Sequence, residues 1–249
     1  MARTGECRRH GRPGAILRQE PSSFTREMNA FRFPHPSRPL VIAHRAANDL
    51  RALRFFQGLD VDFVEGDVWL HGRRLEMRHA RSWGPLRVER WKLTPPWLPR
   101  TCLADALTTL RPETGLMLDL KGHDLRLPRA LGEALAGQSR PLIVSAADWR
   151  LLGALPVNLD ALRAYTVEDA PGLRALENLA PGGDGGVSVR LQLLDSALVS
   201  RMHVRGWLII AWPVCSETEL GRLLEWGVDG IVSKEPSVLT LATRGSKLL

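Results

Sequence analysis

The sequence lacks a long apolar run. Over 249 residues, no stretch approaches the ~18 apolar residues of a membrane-spanning helix. Within the first 39 residues the longest apolar run is 15–17, which is too short for the hydrophobic region of a secretory signal. We therefore expect no stable membrane anchor.

Cysteine is also scarce. The three cysteines, Cys7, Cys102 and Cys215, are odd in number and far apart in the chain, and no Cys-x-x-Cys or Cys/His spacing accompanies them. Neither a disulfide framework nor a zinc site is predicted from this pattern. The simplest expectation is a reducing, cytoplasmic location.

The net charge of +7 does not indicate a nucleic-acid partner. Residues 1–39 carry eight arginines and three acidic residues, whereas residues 40–249 carry 26 basic and 24 acidic residues. A nucleic-acid face needs clustered cations, and the second segment is nearly balanced. We interpret residues 1–39 as a disordered extension or as the result of a start codon placed too early. In the second case Met28 is the true start. The three glutamates count against a transit peptide.

From residue 40 onward, short apolar strands alternate with helical stretches, which predicts βα units and a parallel sheet. The eight predicted strands are 40–45, 62–70, 115–121, 141–146, 161–167, 186–192, 207–214 and 228–233. The eight predicted helices are 49–58, 101–111, 127–137, 148–155, 169–180, 195–205, 216–226 and 236–243. Eight such units can close into a (β/α)8 TIM barrel. A doubly wound open sheet is the alternative, although no glycine-rich fingerprint follows the first strand.

Helix starts and one insertion refine this prediction. Plausible N-caps are Thr101, Asp148, Asp195 and Ser216. Residues 71–100 break the alternation: 66–70 and 75–79 predict a small antiparallel hairpin, and Pro- and Trp-rich sequence follows it. Because loops at strand ends carry function, we expect this insertion after strand two to shape a site.

Acidic residues interrupt two of the predicted strands near their carboxyl ends. Side chains two residues apart share a strand face, which pairs Glu65 with Asp67 and Asp119 with Lys121 opposite apolar neighbours. These faces point into the barrel at the end that carries active sites. Buried carboxylates are costly unless they are paired or bind a cation, and such oxygen ligands suit Mg²⁺ or Ca²⁺. Glu65, Asp67 and Asp119 are therefore the predicted metal ligands. A structural ion pair between Asp119 and Lys121 is the alternative.

The motifs, taken in order over about residues 40–240, resemble those of the glycerophosphodiester phosphodiesterase family. The residues that carry this likeness are His44-Arg45, Glu65-Gly66-Asp67, Arg78-His79, 118–121, 210–214 and 227–231. They are similar to the family's His-Arg motif, its Glu-x-Asp motif, its second histidine, its carboxylate-x-Lys strand and its two C-terminal segments.

The resemblance implies a barrel that hydrolyses glycerophosphodiesters to an alcohol and glycerol 3-phosphate with Mg²⁺ or Ca²⁺. It implies that His44 and His79 divide the proton transfers, and the sequence leaves open which is base or nucleophile and which is acid. Arg45 and Lys121 would add cationic donors to the phosphoryl group. Two more residues have two interpretations each. Arg190 contacts the substrate or pairs with a barrel acid, and Trp212 contacts the glycerol moiety or fills the core.

Three departures from the family pattern keep other functions open. The segment 46–49 replaces a glycine and a Glu-Asn-Thr-like stretch, Asp119 stands where Glu is common, and Pro213 stands where Thr is usual. Asp119 together with Asn48 also resembles related phospholipase D toxins. The second hypothesis is therefore a diesterase that acts on lysophospholipids, with or without cyclisation. The third is a catalytically inactive barrel that serves as a binding protein. The sequence does not predict the oligomeric state.

Overall fold

The computed structural model describes residues 38–83, 86–89, 92–94, 100–179 and 185–244. The predicted extension 1–39 lies outside this range except for its last two residues. Arg38 belongs to the folded part, because its Nη1 and Nη2 donate to the Asp62 carboxylate at 2.6 and 2.9 Å. Within the described ranges, no helix has the length and apolar character needed to cross a membrane.

Eight parallel strands form a closed barrel. They are β1 (Leu40–Ala43), β2 (Phe63–His71), β7 (Gly115–Leu120), β8 (Leu142–Ala146), β9 (Leu162–Val167), β10 (Gly186–Arg190), β11 (Leu208–Trp212) and β12 (Gly230–Ser233). Each strand pairs with its neighbour in this order, and β1 pairs with both β2 and β12. This closure confirms the predicted (β/α)8 barrel and excludes the open doubly wound sheet.

Within the described residues, eight α-helices follow the barrel strands, as predicted. They are α1 (Leu50–Gln57), α2 (Leu103–Thr109), α3 (Arg126–Ala134), α4 (Trp149–Gly153), α5 (Ala170–Glu177), α6 (Ser196–Val204), α7 (Glu217–Trp226) and α8 (Pro236–Arg244). The predicted caps Asp148, Asp195 and Ser216 each accept a backbone N–H in the first turn. Thr101 is not a cap. Its carbonyl accepts from Met77 at 2.9 Å, so it continues an extended segment and α2 begins after Cys102.

The insertion after β2 contains more β-structure than the sequence predicted. The hairpin is present: β3 (Arg74–Met77) pairs antiparallel with β2. It is followed by a separate three-stranded antiparallel sheet of β4 (Arg81–Trp83), β5 (Leu86–Glu89) and β6 (Lys92–Thr94), which was predicted as loop. The prolines and the two later tryptophans of this segment lie outside the described residues.

Two apolar layers explain where polar groups can lie. The outward-facing strand residues pack with the helices in one continuous core. The barrel interior is filled by a second set of buried side chains, among them Ile42, Phe63, Met117, Ile143, Ile210 and Val232. Because this set fills the lower and middle interior, the polar inward-facing residues are confined to the mouth at the carboxyl ends of the strands.

Candidate active site

Three carboxylates meet at the carboxyl ends of β2 and β7. Asp67 lies opposite Asp119 in the pairing of the two strands, and Glu65 precedes Asp67 on the same face. One oxygen from each carboxylate lies within 4.8 Å of the other two. Glu65 and Asp67 are only 4% and 2% exposed. The structure thus brings together the three acids singled out in the sequence, and an oxygen set of this kind fits a hard divalent cation.

A lysine ammonium lies among these carboxylates. Lys121 donates to Asp119, and its Nζ lies 3.0 Å from Oδ1 of Asp67. Ser145 Oγ donates to the other oxygen of Asp119 at 3.1 Å. Burial by itself would lower the pKa of Lys121, but the charges of Asp119 and Asp67 outweigh burial and raise the pKa above its usual 10.5. The ion pair considered as a structural alternative is therefore present, and it lies inside the acidic cluster.

Asn48 binds Asp67 through two hydrogen bonds, a contact that the sequence did not predict. Its Nδ2 donates to Oδ2 of Asp67 at 2.7 Å, and its Oδ1 accepts from the Asp67 backbone N–H at 2.8 Å. Asn48 ends a 3-10 helix of Ala46–Asn48 that packs against β2. A Cβ at Gly66 would lie 2.9 Å from the Ala47 Cβ, so only glycine permits this approach. The sequence features that could have indicated this contact are Gly66, which lies between two acids, and the two alanines before Asn48.

Arg45 connects the acidic cluster to a histidine. Its backbone is left-handed, with φ 55° and ψ 17°, which is uncommon for a residue other than glycine. In this conformation its N–H donates to Oε2 of Glu65 at 2.6 Å. Its Nη2 donates to Nε2 of His79 at 2.9 Å, and its Nε lies 3.6 Å from Oδ2 of Asp67. The strained turn is thus held by a buried carboxylate, and the guanidinium faces the centre of the site.

The two histidines have different surroundings. Because the Arg45 guanidinium only donates, Nε2 of His79 is the acceptor in their contact, and Nδ1 of His79 lies 3.3 Å from Oδ2 of Asp67. His44 follows β1, and its backbone N–H donates to the Ser233 carbonyl at 2.7 Å. Burial, followed by the charge of Arg45, lowers the pKa of His44 from 6.5 to about 4. His44 is therefore neutral at neutral pH.

The opposite side of the mouth presents hydrogen-bond donors. Arg190 and Trp212 pair at the carboxyl ends of β10 and β11. Arg190 is exposed, and no ion pair joins it to a side chain in the described part of the chain. Trp212 is half-buried. Its Nε1 and the Oγ1 of the buried Thr166 have no hydrogen-bond partner among the described residues. Thr166 was not singled out in the sequence, although it lies on an inward face.

Buried acids at such short distances cannot all ionise equally. Burial, and then the charges of Asp67 and Asp119, raise the pKa of Glu65 well above its usual 4.5. Burial would also raise the pKa of Asp67, but the hydrogen bond from His79 and the charge of Lys121 outweigh it and lower that pKa below its usual 3.8. Glu65 therefore holds a proton over a pH range in which Asp67 is ionised.

Cation binding should release this proton. A glutamate ligates a metal in its deprotonated form, so a divalent cation would have to displace the proton of Glu65, and the cation affinity should rise with pH. The raised pKa also means that the cation-free fold loses stability as pH rises through the folded pKa of Glu65, and a bound cation should remove that loss. Calorimetric titration in two buffers with different ionisation enthalpies measures the released proton. Identical heats in both buffers would contradict the expectation.

No protein-family model matches the sequence, and no curated protein matches it significantly. Solved structures do match its fold. A protein from Silicibacter pomeroyi assigned as a glycerophosphoryl diester phosphodiesterase has a TM-score of 0.70 at 15% identity, with 89% of this chain and 98% of that chain covered. A glycerophosphodiester phosphodiesterase from Parabacteroides distasonis has a TM-score of 0.65 at 17% identity, covering 84% and 98%.

A third solved structure contains a ligand. It is a phosphodiesterase from Oleispira antarctica in complex with the product sn-glycerol-3-phosphate, with a TM-score of 0.67 at 20% identity, covering 83% of this chain and 97% of that chain. At these identities the likeness establishes the (β/α)8 fold of this chain over nearly the whole length of the other proteins. The names of the first two proteins match the family that the ordered motifs of the sequence resemble.

Proposed function

We propose that this chain is a metal-dependent phosphodiesterase that hydrolyses glycerophosphodiesters to an alcohol and glycerol 3-phosphate. One observation carries the proposal. Three carboxylates, two histidines and two cationic side chains, drawn from four separate segments of the chain, lie together at the barrel mouth. The fold is shared with solved phosphodiesterases, one of which holds sn-glycerol-3-phosphate. Fold alone does not imply function, so the proposal depends on this site.

The donor set fits a divalent cation such as Mg²⁺ or Ca²⁺. Glu65, Asp67 and Asp119 would hold it through oxygen atoms, and no cysteine or histidine belongs to the cluster. When bound, such a cation polarises a phosphoryl oxygen and offsets negative charge that develops during attack. Asn48 orients Asp67 through two hydrogen bonds and so fixes one ligand before the cation arrives.

The remaining residues divide binding and proton transfer. Arg45 and Lys121 lie beside the cluster and supply donors to the anionic diester. His44, neutral because of its lowered pKa, is the candidate nucleophile or general base. His79 is the candidate acid, which protonates the leaving alcohol. Its contacts with Arg45 and Asp67 place it beside the cationic and acidic groups that would surround the phosphoryl group.

The donor side of the mouth is the proposed site for the rest of the substrate. The indole N–H of Trp212 and the hydroxyl of Thr166 are buried without a partner among the described residues, and such groups are costly unless a ligand or water satisfies them. Arg190 adds a cation at the exposed edge. Hydroxyl and phosphate oxygens of a small glycerophosphodiester are acceptors that would satisfy these donors.

Removing divalent cations should abolish activity. Treatment with a chelator, followed by dialysis, should reduce turnover of glycerophosphodiesters to background, and addition of Mg²⁺ or Ca²⁺ should restore it, because the three acids would otherwise repel the diester. Release of glycerol 3-phosphate measured by a coupled assay tests this. Full activity in excess chelator would overturn the metal mechanism, and absence of turnover with every diester tested would overturn the proposed function.

A second candidate function keeps the site and changes the substrate. Asn48, which binds Asp67 through both its amide atoms, stands where the sequence departs from the glycerophosphodiester phosphodiesterase pattern. A related diesterase could cleave lysophospholipids, with or without cyclisation. Phosphorus NMR of the products would distinguish a cyclic phosphate from a monoester. A non-catalytic binding role is disfavoured because both histidines and all three acids lie together at the mouth.

The remaining predictions from the sequence complete the proposal. We propose a barrel domain of residues 40–249, preceded by the extension of residues 1–39 interpreted above, with a small-molecule substrate as the partner and no nucleic acid. Cys102 and Cys215 are both free thiols in the structure. A cytoplasmic location stays a prediction from the cysteine content.

A further inference from the structure

The side chain of Arg78 forms hydrogen bonds with residues on both sides of His79. Its Nε donates to Oε2 of Glu76 at 2.8 Å, and its Nη1 donates to the carbonyl of Ala80. The guanidinium therefore joins the residue before Arg78 on the same strand face to the residue directly after His79. It also lies 5.0 Å from the ring centroid of Trp69, which covers one of its faces. The side chain of Arg78 thus links the two ends of the segment 76–80, which carries His79.

Glu76 accepts hydrogen bonds from both Arg78 and a second arginine, Arg100. It is 1% exposed, and its second oxygen accepts from Nη1 of Arg100 at 2.6 Å. The backbone of the same segment is fixed as well, because the Arg78 N–H donates to the Asp67 carbonyl at 2.8 Å. A buried carboxylate between two arginines is weak evidence for stability, since desolvation offsets much of the attraction. Its position two residues before Arg78 and three before His79, a proposed catalytic residue, points instead to a role in fixing geometry.

His79 needs such support because its side-chain contacts are also needed elsewhere. Its ring contacts Arg45 and Asp67. In the proposed function, Arg45 turns to the diester and Asp67 binds a cation, so both contacts change when the site is occupied. Its side chain is 37% exposed, so surrounding atoms cover only part of it. A fixed backbone is the remaining way to keep the imidazole within reach of the leaving group.

We propose that Glu76, Arg78 and Arg100 are positioning residues for His79. Through them, the end of the insertion sets the orientation of a histidine at the barrel mouth. The catalytic consequence rests on the proposed phosphodiesterase function, whereas the structural consequence does not. The two can therefore be tested separately.

The structural test is NMR of the histidine side chains in Glu76→Gln, without cation or substrate. The substitution keeps the size of Glu76 and removes its charge. We expect the imidazole cross-peaks of His79, identified by their absence in His79→Asn, to shift or broaden. Those of His203, which is bonded to Asp229 at 2.9 Å on another part of the barrel, should not move. Unchanged His79 cross-peaks in a folded Glu76→Gln protein would overturn the proposal.

The kinetic test compares kcat with KM. Misplacement of a catalytic group by about 1 Å can cost about a hundredfold, so Glu76→Gln should lower kcat by about ten- to a hundredfold while KM changes little. Arg100→Gln removes one of the two arginines that bind Glu76, at a partly exposed position, and should lower kcat by a smaller factor. It replaces Glu76→Gln in this test if that variant does not fold. If kcat/KM falls by this amount only because KM rises, while kcat stays unchanged, the result would contradict a positioning role.

A matched control comes from an ion pair at the other end of the barrel. Asp62 accepts two hydrogen bonds from Arg38 and one, at 2.7 Å, from the backbone N–H of Val41. Asp62→Asn should lower the melting temperature and leave both kcat and the His79 cross-peaks unchanged. If it alters them as Glu76→Gln does, the effects reflect general destabilisation and the proposal fails. If the wild-type protein hydrolyses no diester, the proposed function fails, and the NMR comparison still decides the positioning role.

Discussion

Replacing Asp67 with Asn should lower kcat/KM for glycerophosphodiesters by more than about a hundredfold, because even the outer partners of a metal ligand are worth about ten- to a hundredfold. Asp67 is the centre of the site, with contacts to Lys121, Asn48, His79 and Arg45. The substitution keeps the shape and removes one of the charges that would hold the cation. Calorimetric titration with Mg²⁺ or Ca²⁺ should show a matching loss of affinity, which separates loss of the cation from loss of a proton-transfer group.

Asn48→Ala is the graded comparison for this experiment. It removes two hydrogen bonds to Asp67 and leaves all three carboxylates in place. We expect cation affinity to fall by about ten- to a hundredfold, less than in Asp67→Asn. Thermal unfolding of both variants in the presence of chelator controls for a general loss of stability. Wild-type turnover in Asp67→Asn would show that these acids do not take part in the reaction.

Removal of either histidine should lower kcat on alkyl diesters by about a hundredfold to ten-thousandfold, the range contributed by general acid–base catalysis. The two variants should differ in their response to the leaving group. An aryl diester with a nitrophenol leaving group needs no protonation, so His79→Asn should retain most of its activity on that substrate. His44→Asn should lose activity on both substrates, because the attack itself is impaired. Initial rates on the two substrates measure the difference.

The physical basis of this assignment is the pKa of His44. Since burial and the charge of Arg45 lower it to about 4, His44 is a neutral imidazole at neutral pH, which is a poor acid but can accept a proton or attack directly. If instead His44→Asn retained aryl activity and His79→Asn lost it, the two roles would be reversed. Circular dichroism of each variant shows whether the barrel is intact.

Much of the fold follows from local patterns. The alternation of apolar strands and amphipathic helices predicted all eight barrel strands, and each observed strand overlaps its predicted range. The spacing of two residues in β-strands placed Glu65 and Asp67 on one face, opposite Val64 and Val68, which are both completely buried. The last three strands of the insertion were harder to predict because they are short and pair with one another rather than with the barrel.

Other features depended on packing between distant segments. Asn48 lies 19 residues from Asp67, and Arg100 lies 24 residues from Glu76, yet each pair is joined by hydrogen bonds. No periodicity relates such residues, because their contact requires the barrel to close and the insertion to fold over its edge. The left-handed backbone of Arg45 is another case, since its local cost is offset by a hydrogen bond to Glu65.

The amino-acid sequence by itself determined which residues are available at the barrel mouth, because strand alternation and order along the chain fix the face and the end on which each side chain lies. The tertiary structure alone decided which of them touch: that Lys121 reaches Asp67, that Asn48 orients Asp67, and that Arg100 binds Glu76. The reason is that hydrogen bonds and charge interactions act over a few ångströms, and only the closed barrel brings chain segments from different strands within that distance.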